Sequence, residues 1–251
     1  MDRLRHVRDF YRLLDELESR LGGKRTLAEC SGHLTWPRRG IYYFFEPGEV
    51  RCDSGQGARV VRIGTHALST GSKSTFWQRL SQHRGQSRSG GGNHRGSIFR
   101  LLVGTALQHR REIAKVASWG LKPDTGAAAL HLGLDRVEIR ASEHVAECAV
   151  SRYIGEMPFL WIDIGDAPSP ESDRAVLERN SIALLSNFSK KPELDPPSPG
   201  WLGKQCDRER VRRSGLWNNN HVDETYDPAF LETLQRYVRN TNQIQATYVL
   251  A

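Results

Sequence analysis

The sequence predicts an α+β fold: a small sheet flanked by helices, with helical extensions at both ends. Two runs of aromatic and β-branched residues carry the sheet, Gly40-Ile41-Tyr42-Tyr43-Phe44-Phe45 and Arg59-Val60-Val61-Arg62-Ile63-Gly64. A third run, Phe159-Leu160-Trp161-Ile162-Asp163-Ile164, reads the same way. Around them, apolar residues recur at three- and four-residue steps, the helical period.

The elements follow in chain order. Leu4, Val7, Tyr11, Leu14, Leu17 and Leu21 form one apolar face of an amphipathic helix, closed by Gly22-Gly23. That face is expected to pack on its own domain rather than on a partner. Glu46-Pro47-Gly48-Glu49 breaks the first strand, and the connection to the second suits an antiparallel pair. Ser74 is placed to cap a helix through Phe76, Trp77, Leu80 and His83. Gly85 to Gly96, rich in Gly, Ser and Arg, reads as a mobile loop. Ser97 to Leu107 fits helix and strand equally. Glu143 to Ile154 reads as helix, and Pro168 to Ser172 opens another through Leu177, Ile182 and Leu185. Pro192 to Pro199 is a loop, and a last helix starts at Pro228.

The chain has 251 residues, 38% of them hydrophobic, and a formal net charge of +7. It is long enough to bury a core without disulfides. No apolar run approaches the roughly 18–20 residues of a membrane span, and the charged N-terminus lacks a secretory h-region, so a cytoplasmic protein is expected. Cys30, Cys52, Cys148 and Cys206 form no Cys-x-x-Cys pair, which speaks against structural zinc.

The charge is concentrated. Residues 54–111 contain no Asp or Glu but hold ten Lys and Arg, leaving the remainder at −3. Such a block reads as a surface for a polyanion, most often nucleic acid. Gly71-Ser72-Lys73-Ser74 mimics the end of a P-loop, but Ser72 separates the glycine from the lysine. A nucleotide cofactor is therefore not expected.

Gly40-Ile41-Tyr42 on one strand and Arg62-Ile63-Gly64 on the next resemble the paired tripeptides of the GIY-YIG nuclease family. Arg79 and His83 follow, four residues apart on one helical face, and resemble the Arg-x-x-x-His of its restriction-enzyme branch. Glu178 and Asn187 lie where the family keeps a metal-binding glutamate and an asparagine. Arg62 replaces the second motif's tyrosine, and nine helical residues between Glu178 and Asn187 would set them on opposite faces.

The resemblance implies a three-stranded antiparallel sheet between helices and a metal-dependent DNA endonuclease of restriction or defence. It divides the chain into an N-terminal extension (1–38), a nuclease domain with insertions (39–190) and a C-terminal extension (191–251). It implies Tyr42 as base or water-orienting group, Arg79 as ligand of the non-bridging phosphate oxygens, His83 as proton relay or phosphate ligand, and Arg62 as electrostatic support. Glu178 would hold one Mg²⁺ (or Mn²⁺), with Asn187 assisting. Those parts suit phosphodiester hydrolysis, which needs a proton acceptor, a divalent cation and cationic donors for the developing charge.

Lys73, Arg84, Arg88, His94, Arg95 and Arg100 are the expected DNA contacts, with duplex DNA favoured over RNA. The segment Ser214 to His221, after Arg208, Arg210, Arg212 and Arg213, reads equally as base-edge readers or as a turn packed by Trp217. Cutting both strands would require a homodimer or two successive nicks. The competing expectation is a non-catalytic nucleic-acid-binding or partner protein on a degenerate nuclease scaffold, motivated by Arg62.

Overall fold

The aromatic run at Gly40 opens the central strand. In the computed structural model, which describes residues 2–241, β2 (Gly40–Val50) pairs antiparallel with β3 (Ala58–Gly64) on one side and β4 (Pro158–Asp163) on the other. A two-residue strand, β1 (Arg25–Thr26), adds to β4, giving the order β1-β4-β2-β3. Met1 and residues 242–251, the end of the expected C-terminal extension, lie outside the described residues.

Strand alternation divides the aromatic run between two faces. Tyr42 and Phe44 face a layer containing α2 (Phe76–Arg84) and α3 (Ile98–His109), where they meet His83 and Phe99. Tyr43 faces the opposite layer and meets Phe10 of α1 (Asp2–Leu21) edge on, with ring centroids 5.7 Å apart. The apolar face of α1 is buried within its own chain, against α6 (Asp173–Leu185), α8 (Phe230–Asn240) and β4. One continuous core takes Phe10 and Leu14 from the first segment, Tyr43 and Leu184 from the middle, and Trp217 and Leu234 from the last.

Local chemistry fixes the ambiguous elements. Ser97 to Leu107 is helical because the Ser97 hydroxyl accepts the Arg100 N–H and caps α3. Thr75, not Ser74, caps α2: its Oγ1 accepts the Gln78 N–H while Gln78 Oε1 accepts the Thr75 N–H. The long insertion folds as α4 (Thr125–Leu132) and α5 (Arg136–Gly155), so the helix expected from Glu143 begins earlier, at an Asp135 capping box. The C-terminal region adds α7 (Glu209–Ser214), and α8 starts two residues after Pro228.

The segment Gly85 to Gly96 is anchored at its C-terminal end. Arg95 donates to both carboxylate oxygens of Glu143 on α5, each at 2.7 Å. His94 accepts the Gly120 N–H on Nε2 at 3.1 Å, so its Nδ1–H donates to Glu147 at 2.8 Å. Its ring stacks on Trp119 at 4.0 Å. Arg100 is fully buried and donates to Glu147 Oε2 from Nε at 3.0 Å.

The open edge of β3 is covered by the segment after α7. Trp217 N–H donates to the Val61 carbonyl at 2.7 Å. The Asn218 side chain accepts the Ile63 N–H at 3.1 Å and donates back to its carbonyl at 2.9 Å. An exposed strand edge is thereby blocked by side-chain mimicry of a ladder. This is the packed-turn outcome for Trp217 and Asn218.

Candidate active site

The site forms where β2 begins and β3 ends. Tyr42 lies opposite Gly64 across the ladder. A Cβ on Gly64 would stand 2.2 Å from the Tyr42 hydroxyl oxygen, so glycine leaves the space that the phenol fills. Gly40 is constrained likewise: a Cβ there would meet the Ile162 carbonyl at 2.4 Å. The two motif glycines thus act as steric allowances for a tyrosine and a neighbouring strand.

The Tyr42 hydroxyl is hydrogen-bonded to His83 Nε2 at 2.8 Å, and His83 Nδ1 to Ser97 Oγ at 2.8 Å. Burial holds the His83 imidazole well below its ordinary value, and Arg79, Arg62 and Arg100 push in the same direction. The ring is neutral at pH 7. Arg100 Nη1 also donates to the His83 carbonyl at 2.9 Å, so the Glu147–Arg100 pair fixes the helix end that carries this histidine.

Arg62 reaches the same place from β3. Its guanidinium lies over the Phe99 ring at 5.4 Å and donates from Nη1 to the Trp217 carbonyl. Its Nε is buried and has no acceptor. Burial lowers its pKa, with opposing help from Tyr42 and Glu178 and a further push from Arg79. Arg79 is half-buried on α2 and forms no ion pair among the described residues; it donates to Gln82 at 3.0 Å.

Glu178 on α6 closes the group. Its Oε1 accepts the Thr65 N–H at 3.2 Å, and Thr65 Oγ1 donates to the Gly40 carbonyl at 2.7 Å. Burial raises the carboxyl, opposed by Arg62, His221, the Thr65 N–H and Arg79. A partly buried carboxylate with one oxygen left over and no arginine clamped to it suits a hard divalent cation that keeps several waters. The residues therefore fit a singly anchored Mg²⁺ at Glu178. The access is uneven: Tyr42 and His83 are 0% exposed, whereas Arg79 and Glu178 are partly open.

Other sequence expectations take different positions. Asn187 is not brought to the site. Its Oδ1 accepts from Leu194 N–H and Arg3, and its Nδ2 donates to the Leu194 carbonyl, so it locks the turn after α6. His94, Arg95 and Arg100 are corrected as DNA contacts, because Glu143 and Glu147 neutralise Arg95 and Arg100 internally and His94 is buried. Arg84 turns to the Cys30 carbonyl and the Trp77 ring. Lys73 and Arg88 are exposed.

Sequence reasoning passed over Ser97, Thr65, His66 and Arg174. Ser97 was detectable as a cap candidate, but its second task of holding His83 depends on a tertiary contact. One other group of potential metal ligands occurs among the described residues: Cys52, Asp53 and Asp195. It sits at the far end of the β2–β3 hairpin. Asp195 Oδ1 already accepts three backbone N–H groups and Oδ2 the Ser54 hydroxyl. That group is a loop clamp.

A small antiparallel sheet between helix layers thus carries a tyrosine–histidine pair, two arginines and a carboxylate at one end. The family model for the GIY-YIG domain matches residues 1–244, and the chain belongs to that nuclease family. Comparison with curated proteins and with solved structures returns no match. No helix among the described residues is long and apolar enough to cross a membrane.

Proposed function

We propose that this chain is a metal-dependent endonuclease that hydrolyses phosphodiester bonds in DNA, in a restriction or defence setting. The observation that supports it most is the Tyr42–His83 hydrogen bond of 2.8 Å, with Arg62, Arg79 and Glu178 grouped around it. The setting rests on the Arg79–His83 spacing alone.

In this reading Ser97 Oγ accepts from His83 Nδ1–H, which leaves Nε2 as acceptor for the Tyr42 hydroxyl proton. Tyr42 takes a proton from the attacking water while passing its own to His83. Arg79 and Arg62 bind the non-bridging phosphate oxygens and stabilise the charge that develops there. A divalent cation held by Glu178 would supply Lewis-acid neutralisation of the scissile phosphate. Two of the three arginines that add to burial in depressing His83, Arg79 and Arg62, are the proposed phosphate ligands. Substrate phosphate would therefore compensate their charge and make the imidazole more basic when a base is needed.

A second reading, a nucleic-acid-binding or partner protein on a degenerate scaffold, draws on the complete burial of Tyr42 and His83. The decisive assay incubates supercoiled plasmid with the protein and Mg²⁺, beside Glu178→Ala. Nicking by the wild type that Glu178→Ala loses supports the enzyme. Intact plasmid with both proteins, shifted on a gel, supports the second reading. Competition between duplex DNA and structured RNA at matched salt tests the substrate class.

A further inference from the structure

His66 is 7% exposed, and neither ring nitrogen has a hydrogen-bond partner. The nearest backbone acceptor is the Arg38 carbonyl, which accepts the Phe76 N–H at 3.0 Å. A buried imidazole left this way costs stability unless something completes it.

Its neighbours are short of acceptors too. Arg174, fully buried on α6, donates from Nη1 to the carbonyl of His66 and pairs with Asp166, yet its Nη2 is buried without a partner. Arg39 donates to the Asp166 carbonyl at 2.6 Å, and its Nε is likewise buried and unpartnered. Arg79, free of any acid among the described residues, faces His66 from α2. The Asp166 carboxylate pairs with Arg174 alone; Arg39 takes only its backbone carbonyl. What the cluster lacks is an anion with several oxygens.

We infer that His66, Arg174, Arg39 and Arg79 form a second phosphate subsite, beside the Tyr42–Glu178 site, that takes the phosphate adjacent to the one cleaved. The inference rests on the nuclease reading for which phosphate it binds, but not for its being an anion site. The chain direction fits. His66 directly follows Thr65, whose N–H holds Glu178, and Arg79 belongs to both groups. Burial and the charges of Arg174, Arg79 and Arg39 bring the His66 imidazole down to about 4, so it is neutral when the subsite is empty and presents one donor and one acceptor nitrogen. Arrival of an anion reverses the arginine effect. The subsite also explains why Arg79 is spared a carboxylate partner while Arg59, Arg95, Arg100 and Arg174 each have one.

The test uses wild-type protein without metal, labelled with nitrogen-15, and follows the histidine side-chain resonances while sulfate is added as a stand-in for phosphate. Assignments come through the backbone, so no variant has to fold. The expected result is a saturable shift of His66 resonances, larger than any at His94, whose nitrogens are both engaged. Duplex DNA binding in the same buffer should weaken by about three- to tenfold in His66→Gln, the loss of one charge-assisted hydrogen bond. Silence of His66 toward both sulfate and duplex overturns the subsite, even if plasmid is cleaved. A His66 response to sulfate in a protein that never cuts plasmid keeps the subsite and removes the nuclease reading.

Discussion

The Tyr42 hydroxyl and the His83 ring share one buried hydrogen bond, and the proposed chemistry runs through it. Tyr42→Phe removes the proton relay but keeps the ring in the space above Gly64. Cleavage is expected to fall by about 10²- to 10⁴-fold, while stability falls by about 1–3 kcal/mol because His83 Nε2 is left buried and unpaired. Plasmid nicking and a denaturant titration check the two numbers separately. The depressed histidines make a second prediction. His66, brought to about 4, and His83, well below its ordinary value, bind protons more readily unfolded than folded. The His66 contribution to stability is therefore complete above about pH 6.5 and is lost as pH falls from there toward about 4, by at most about 1.4 kcal/mol per unit of depression, and the His83 contribution is lost in the same direction. Urea midpoints at about pH 7.5 and about pH 5 should show the drop, and His66→Gln should shrink it. A protein equally stable at both values would contradict the assignment.

At the scale of elements, the charged residues of the 85–100 segment build structure. Glu147 satisfies His94 and Arg100, and Arg100 in turn holds the His83 carbonyl. Glu147→Ala leaves Arg100 buried and unpaired, for an expected loss of about 3–5 kcal/mol by denaturant unfolding. Asn218→Ala should cost about 1–3 kcal/mol, since both backbone groups of Ile63 lose their partner. These cases show what the sequence made legible. Strands β2, β3 and β4 were readable because continuous apolar runs mark buried strands. That Tyr42, Arg62, Arg79, His83 and Glu178 are grouped in space was readable because their order along the chain carries the motif. The fate of Arg95 and Arg100 was not, because their acids, Glu143 and Glu147, lie about fifty residues away on a helix whose start was missed. Asn187 misled for a similar reason: its partners, Arg3 and Leu194, belong to other elements.

For the whole molecule, the +7 charge divides into two uses. Arg59, Arg95 and Arg100 are neutralised inside the fold, whereas Lys73, Arg79 and Arg88 remain open or half-open to a polyanion. These three contacts alone contribute about −3 to the logarithmic salt slope of duplex binding, to which Arg62 and the His66 subsite add. Arg88→Glu should reduce its magnitude by about one with no change in unfolding midpoint, and Arg95→Glu should lower the midpoint instead, by placing a carboxylate against Glu143. Fluorescence anisotropy across salt and parallel urea titrations read both. The central proposal is cleavage at the end of the sheet where β2 begins and β3 ends. That claim is tested most directly by cleavage of supercoiled plasmid with Mg²⁺, comparing wild type, Tyr42→Phe and Asn187→Ala at equal folded concentration. The account predicts nicking by the wild type and by Asn187→Ala, and its loss in Tyr42→Phe. Undiminished nicking by Tyr42→Phe, or an inert wild type, would contradict it.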